Sequence, residues 1–176
     1  NASLFISIGT TMEAVAAALI KQRKNLRIIT NNIYVAALAS ARSDYTVIIT
    51  SGVVRPLDGG VTGVATVDFI NQFKVDYAVL STHGVEGDGS LLDYDYKEVS
   101  VMQAMMANAR VRFLGVDHSK FQSHALVRLG DITDFDRVFT DRAPDGEMQK
   151  ILTAAGVEWL VPEICQHATE TAKDEK

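Results

Sequence analysis

The sequence predicts an α/β fold with a mainly parallel sheet and flanking helices, and three observations predict it. Short apolar runs recur along the chain, each followed by a segment whose apolar residues fall at helical spacing. The run from Val75 to Leu80 is apolar almost throughout between Asp76 and Ser81, as a parallel strand covered on both faces should be. The alternation repeats at short intervals, with no internal repeat and no low-complexity linker to divide it.

The first element sets the pattern. Phe5-Ile6-Ser7-Ile8 reads as a strand that breaks at Gly9 and turns at once into a helix. Thr10 and Glu13 have the spacing of a capping box, and Met12, Val15, Ala16, Leu19 and Ile20 form one apolar face. A helix N-terminus carries unpaired N–H groups and the positive end of the macrodipole, so Gly9, Thr10 and Thr11 are candidates to hold an anion, a phosphate above all. The alternative reading of this tripeptide is a turn plus an N-cap.

The remaining elements follow in order. Leu26 to Thr30 is a second strand, closed by Asn31-Asn32 before an alanine-rich helix from Ile33 to Ala41. Tyr45 to Thr50 is a third strand, followed by a loop from Ser51 to Gly60 that contains Arg55, Pro56, Asp58 and Gly59. A helix then carries Val67, Ile70 and Phe73 at threefold spacing. After Val75 to Leu80 comes an exit loop from Ser81 to Ser90, which includes His83, Gly84, Val85 and Glu86. A long helix from Tyr94 to Ala109 turns Val99, Met102 and Met106 inward as core. Val111 to Val116 is a fifth strand ending in Asp117-His118-Ser119-Lys120. Short strands are expected at Ala125 to Leu129 and Arg137 to Thr140, then a helix with Met148, Ile151, Leu152 and Ala155, and an edge strand from Glu158 to Val161.

Bulk properties bound the function. The 176 residues suit one domain, which at this size buries roughly 70% of its unfolded surface. That domain is expected over residues 1–165, with a polar, frayed tail at 166–176. The net charge of −5 argues against gripping nucleic acid through the overall field of this chain. One cysteine, Cys165, excludes an internal disulfide framework, and His83, His118, His124 and His167 show no metal-ligand spacing, so neither metal nor cofactor is expected. No apolar run approaches the ~20 residues of a membrane span. The expectation is a soluble cytoplasmic protein with no membrane partner. Asn1 is not an initiator and a strand starts close behind it, so the sequence reads as a fragment lacking an upstream part.

In open α/β sheets ligands bind beyond the carboxyl ends of the strands. Gly9-Thr10-Thr11, Thr30-Asn31-Asn32, Ser51 to Gly60, His83 to Ser90 and Asp117 to Lys120 each follow a predicted strand, so the fold would gather them along one rim. Lys120 and Arg55 are the cations to match a phosphate, one a point charge and the other a planar fork. Asn31, Asp58, His83, Glu86 and Glu98 are candidates for ligand hydroxyls. The alternative readings are Asn31 as the cap of the helix after it, Asp58 as the turn former before Gly59, and Glu98 as a complement to its helix N-terminus.

Taken in order, Ser7 to Thr11, Ile28 to Asn32, the Ser51 to Arg55 loop, the His83 loop before Gly89-Ser90-Leu91-Leu92, Lys97-Glu98-Val99 and Asp117 to Phe121 resemble the effector-binding domain of DeoR-type transcriptional repressors. The resemblance covers nearly the whole chain. It implies a Rossmann-like sensor domain of the ribose-5-phosphate isomerase and CoA transferase type, a homo-oligomer (dimer or tetramer), and a winged helix-turn-helix of about seventy residues missing from the front, within the size range of small domains. It also implies a phosphorylated inducer, glycerol 3-phosphate ahead of other polyol or sugar phosphates. Carried onto this sequence, the ligand-binding residues are Gly9, Thr10, Thr11, Thr30, Asn31, Arg55, Asp58, Gly59, Gly60, His83, Gly84, Val85, Glu86, Glu98, Asp117 and Lys120. The alternative is an aldose-ketose phosphate isomerase of the same fold, whose phosphate-holding parts match Gly9-Thr10-Thr11 and Asp117 to Lys120 and whose general base matches Glu98. That alternative lacks a part: the loop from Ser81 to Ser90 contains no lysine to stabilise a developing oxyanion.

Overall fold

The computed structural model describes residues 1–162. The chain runs β1 (Ser3–Ile6), α1 (Thr10–Gln22), β2 (Arg27–Thr30), α2 (Ile33–Ser40), β3 (Thr46–Ile49), β4 (Val53–Val54), β5 (Val61–Thr62), α3 (Val64–Ile70), β6 (Val75–Leu80), β7 (Gly84–Val85), β8 (Ser90–Asp93), α4 (Tyr96–Ala107), β9 (Ala109–Gly115), β10 (Val127–Asp131), β11 (Arg137–Phe139), α5 (Gly146–Ala155) and β12 (Glu158–Leu160). A seven-stranded, mainly parallel sheet has the order β12-β11-β9-β6-β1-β2-β3. This is the α/β architecture that the alternation predicts. The chain forms two compact units: Asn1–Ser81 with Asp95–Arg112, and Thr82–Tyr94 with the chain from Phe113 on.

In the first unit β1 lies between β2 and β6, parallel to both. Leu4, Phe5 and Ile6 are buried in succession rather than alternately, because both faces of the strand are covered. Asp76 pins one end of this pairing by accepting hydrogen bonds from the Ser3 amide and hydroxyl at 2.9 and 2.8 Å. At the other end Thr30 donates its hydroxyl to the Ile6 carbonyl at 2.7 Å. Strand β3 is the sheet edge and is correspondingly half exposed. α1 packs on α2, and α3 packs on α4.

Several expected boundaries move, each for a local reason. β1 ends at Ile6, leaving Ser7 and Ile8 as buried connectors rather than strand. Thr10 is already helical and Gly9 is the N-cap, with φ 117° and ψ 151°, so no capping box forms. Glu13 instead accepts from the Asn32 side-chain amide at 3.4 Å. Asn32, not Asn31, caps α2, its Oδ1 accepting from the Tyr34 and Val35 amides. The loop from Ser51 to Gly60 includes β4, which pairs antiparallel with β5. α3 stops at Ile70, short of Phe73. α4 begins at Tyr96 behind an Asp95 cap, and its buried face includes Met105 at 0% exposure whereas Met106 is only half buried.

The second unit has β9, β11 and β12 in parallel register and a small antiparallel sheet of β7, β8 and β10. β7 lies within the loop expected from Ser81 to Ser90, because a two-residue strand carries no periodicity, and β8 begins at the last residue of that loop. β10 lies two residues later than expected, its pairing with β8 shifting between Arg128 and Gly130. α5 is bounded by local chemistry: Asp145 caps the Met148 amide at 2.9 Å, and Gly156 closes the helix in the left-handed region at φ 72°. Glu158–Leu160 is the other edge strand. Cys165, His167 and the expected tail at 166–176 lie outside the described residues.

Truncation should separate the two adjacent methionines of α4. Met105→Ala is expected to cost about 2–5 kcal/mol and Met106→Ala under about 1.5 kcal/mol, read from urea unfolding. Equal costs would contradict the packing of this helix.

Candidate functional site

In the first unit the expected residues gather around Arg55. The guanidinium meets three carboxylates: Nη2 and Nε contact Asp58 (Nε to Oδ1 at 3.2 Å), Nη1 contacts Asp95 Oδ2 at 2.9 Å, and Nη2 contacts Glu98 Oε2 at 2.9 Å. The β4–β5 hairpin supplies Arg55 and Asp58, while the N-terminus of α4 supplies Asp95 and Glu98. The hairpin turn is closed by the Arg55 amide donating to the Gly60 carbonyl at 2.7 Å. Leu57 stands in this turn, fully exposed and at positive φ. Gly59, also at positive φ, lies so close to α2 that a Cβ would approach Ile33 Cγ1 to 2.6 Å.

The charge arithmetic is uneven, with one cation against three anions. Burial pushes the Asp58 carboxyl up, but hydrogen bonds from Arg55 and the Gly60 amide outweigh it and hold the group below the ordinary carboxylate value. Asp95 is likewise pushed up by burial and held lower overall by the Lys97 amide and Arg55. Arg55 is raised, first through its hydrogen bond to Asp58. With its fork spent on carboxylates, Arg55 orders acceptors rather than offering donors. The local field therefore favours ligand hydroxyls and opposes a phosphate.

The other candidates of this unit have definite places. The N-terminus of α1 has no side-chain cap, and a Cβ on Gly9 would meet nothing within 4 Å. Its first amides favour an anion, with the Thr10 and Thr11 hydroxyls beside them; the shorter α3 likewise starts without a side-chain cap. Thr30 spends its hydroxyl on the Ile6 carbonyl and accepts from the Asn32 amide. Asn31 is 1% exposed and donates to the Val61 carbonyl at 3.1 Å, while its Oδ1 has no partner among the described residues.

In the second unit the His83 to Glu86 segment and the Asp117 to Lys120 turn are brought together. Val85 bridges to Phe121, and the Gln122 amide donates to the Val85 carbonyl at 2.8 Å. The Val85 side chain is fully buried, so it holds the segment rather than facing outward. Gly84 is packed so tightly that a Cβ would lie 2.3 Å from the Ser123 carbonyl oxygen. His83 Nδ1 sits 3.1 Å from the buried Asp93 Oδ1, and His124 Nδ1 sits 3.1 Å from Glu86 Oε1. Asp117 caps the turn through the Ser119 amide at 2.8 Å. Burial pushes its carboxyl up, yet the Ser119 hydrogen bonds and the Lys120 charge leave it below the ordinary value. His118 is occupied by Asp141, with Nδ1 to Oδ2 at 2.6 Å. Lys120 makes no ion pair with any other described residue.

Sequence reasoning leaves out Asp95, Asp93 and Asp141. Asp95 is visible as an N-cap, two residues before Lys97, but its pairing with Arg55 spans 40 positions and has no local signal. Among the described residues no cluster of His, Cys, Asp and Glu could hold a metal ion, and no helix is long and apolar enough to cross a membrane.

Comparison with known proteins places these features in a family. The family profile described as the DeoR C-terminal sensor domain matches residues 1–142. The chain is 46% identical over 153 residues to the glycerol-3-phosphate regulon repressor of Escherichia coli (strain K12), covering 87% of this chain and 60% of that protein. It is 48% identical over 146 residues to the protein of the same name from Haemophilus influenzae, covering 83% and 56%. It is 35% identical over 163 residues to the HTH-type transcriptional repressor CsqR of Escherichia coli (strain K12), covering 93% and 62%. The chain thus spans about 60% of the length of these relatives. Among solved structures, ribose 5-phosphate isomerase A from Neisseria gonorrhoeae aligns with a TM-score of 0.48 and 15% identity, over 70% of this chain and 47% of that one.

Two substitutions test the geometry. Arg55→Met is expected to destabilise by about 1–3 kcal/mol near neutral pH. Because Asp58 and Asp95 are held low in the fold, the stability they gain from Arg55 is complete above the ordinary carboxylate pKa of about 4 and is lost as pH falls through their lower folded values. The gap between wild type and variant in thermal unfolding should therefore narrow on acidification, and a gap that widens would contradict the network. Gly84→Ala should lower Tm through the clash with Ser123, whereas Gly87→Ala, which meets nothing within 4 Å, should leave Tm nearly unchanged.

Proposed function

Since the chain belongs to the DeoR family as a C-terminal sensor domain, we propose that it senses glycerol 3-phosphate, or a close polyol or sugar phosphate, as the inducer of a bacterial repressor of glycerol or sugar metabolism. Two relatives at 46% and 48% identity are named for glycerol 3-phosphate, which supports the choice of ligand. The observation that carries the phosphate half is Lys120, a cation without an ion pair to any other described residue, at the end of a tight 3-10 turn capped by Asp117. The uncapped N-terminus of α1, with Gly9, Thr10 and Thr11, is the corresponding candidate in the first unit.

The hydroxyl half is assigned to acceptors, and each unit taken by itself offers a set. The first unit has Asp58, Asp95 and Glu98, ordered by Arg55 and assisted by Asn31. The second unit has His83 and Glu86. Thr30, Gly59, Gly60, Gly84 and Val85 are backbone and packing supports for these groups. In the whole protein, operator binding is assigned to a winged helix-turn-helix region outside this sequence, and the sensor acts as a homo-oligomer. An inducer that favours one subunit arrangement would shift operator affinity through a coupling of about 1–3 kcal/mol.

Calorimetric titration with glycerol 3-phosphate, glycerol, ribose 5-phosphate and inorganic phosphate tests this reading. Glycerol 3-phosphate should bind best, and Lys120→Ala should weaken it by at least about tenfold, the loss of a charge-assisted hydrogen bond. Unchanged affinity in Lys120→Ala would remove the phosphate assignment. Turnover of ribose 5-phosphate by the purified chain would favour an isomerase instead.

A further inference from the structure

Within the second unit, Asp93 ends β8 as a buried carboxylate, its side chain 2% exposed. A buried anion is destabilising unless hydrogen bonds compensate it. Asp93 Oδ1 accepts from the Tyr94 amide at 2.7 Å and stands 3.1 Å from His83 Nδ1. An ionised carboxylate has no proton to give, so the imidazole must place its hydrogen on Nδ1. The neutral ring then carries its lone pair on Nε2, on the side away from Asp93.

The surroundings hold this arrangement. Gly84, next to His83, pairs with Leu92, and Thr82 donates its hydroxyl to the Leu92 carbonyl at 2.7 Å. The Tyr94 ring meets the imidazole edge-on at 5.0 Å. Neighbouring polar groups are already engaged: the Tyr94 hydroxyl with the His124 carbonyl at 3.2 Å, and Glu86 with His124. The His83 side chain remains 47% exposed. No other hydrogen bond to its ring is made among the described residues.

We propose that Asp93 is the positioning residue for His83, and that the pair presents His83 Nε2 as a fixed acceptor for a hydroxyl of the ligand. The assignment rests on the polyol-phosphate reading above and adds the atom that reads the polyol end. A lone pair on Nε2 suits a C–OH donor and repels a phosphate dianion, which has only acceptors to offer.

Side-chain nitrogen NMR of the ligand-free protein at about pH 8, above the ordinary histidine value, should show His83 as the Nδ1–H tautomer. The Nε2–H form would overturn the proposal. In calorimetry, His83→Phe retains a ring against Tyr94 and should weaken glycerol 3-phosphate about tenfold, the scale of one lost hydrogen bond. Asp93→Ala should give a similar loss, shift the His83 signals to the Nε2–H form, and add little to His83→Phe when the two are combined. Undiminished binding by His83→Phe would overturn the proposal while leaving the ligand reading in place. Failure of wild type to bind glycerol 3-phosphate in the same titration would instead overturn the ligand reading, and this assignment with it.

Discussion

The structure depends on a central parallel strand that is covered on both faces. β1 lies between two parallel neighbours and buries Leu4, Phe5 and Ile6 without a break, so no side chain of that run is available for chemistry. Polar groups at the strand ends then do double duty. Thr30 ties β2 back to Ile6 with its hydroxyl and at the same time receives the Asn32 amide. The same constraint leaves the β4–β5 turn, the first turns of α1 and α4, the segment after β6 and the turn after β9 as the places where charge can collect.

How charge collects there is decided by pairing rather than by residue type. An arginine at a glycine-rich turn suggests a phosphate clamp, yet Arg55 is spent on Asp58, Asp95 and Glu98. Desolvation opposes such a cluster, and it persists because each carboxylate adds a hydrogen bond that offsets the loss. Its product is an ordered set of acceptors with net negative charge. In the second unit Lys120, without an ion pair to another described residue, has the opposite character.

Much of this fold is legible in the residues. The buried strand Val75–Leu80 is recovered residue for residue, because a two-sided apolar run bounded by Asp76 and Ser81 has one good reading. The helix beginning at Ile33 is recovered behind its asparagine pair, and the one carrying Met148 and Leu152 through helical periodicity. β4, β5 and β7 are not, since two residues cannot express a period and such pairs exist only through their partners. The Thr10 and Glu13 spacing misleads because Gly9 takes the cap at positive φ and Glu13 finds Asn32 instead.

The sequence by itself determined the α/β class, the strand ends where polar residues concentrate, and which residue types stand there, because apolar periodicity and capping chemistry act over a few positions. Only the tertiary structure decided the partners: Asp95 reaching Arg55 across 40 positions, Asp93 behind His83, and Asp141 on His118. Those pairings set which side chains remain open to a ligand. They depend on which strands and turns lie side by side, a property of the folded chain that no local spacing encodes.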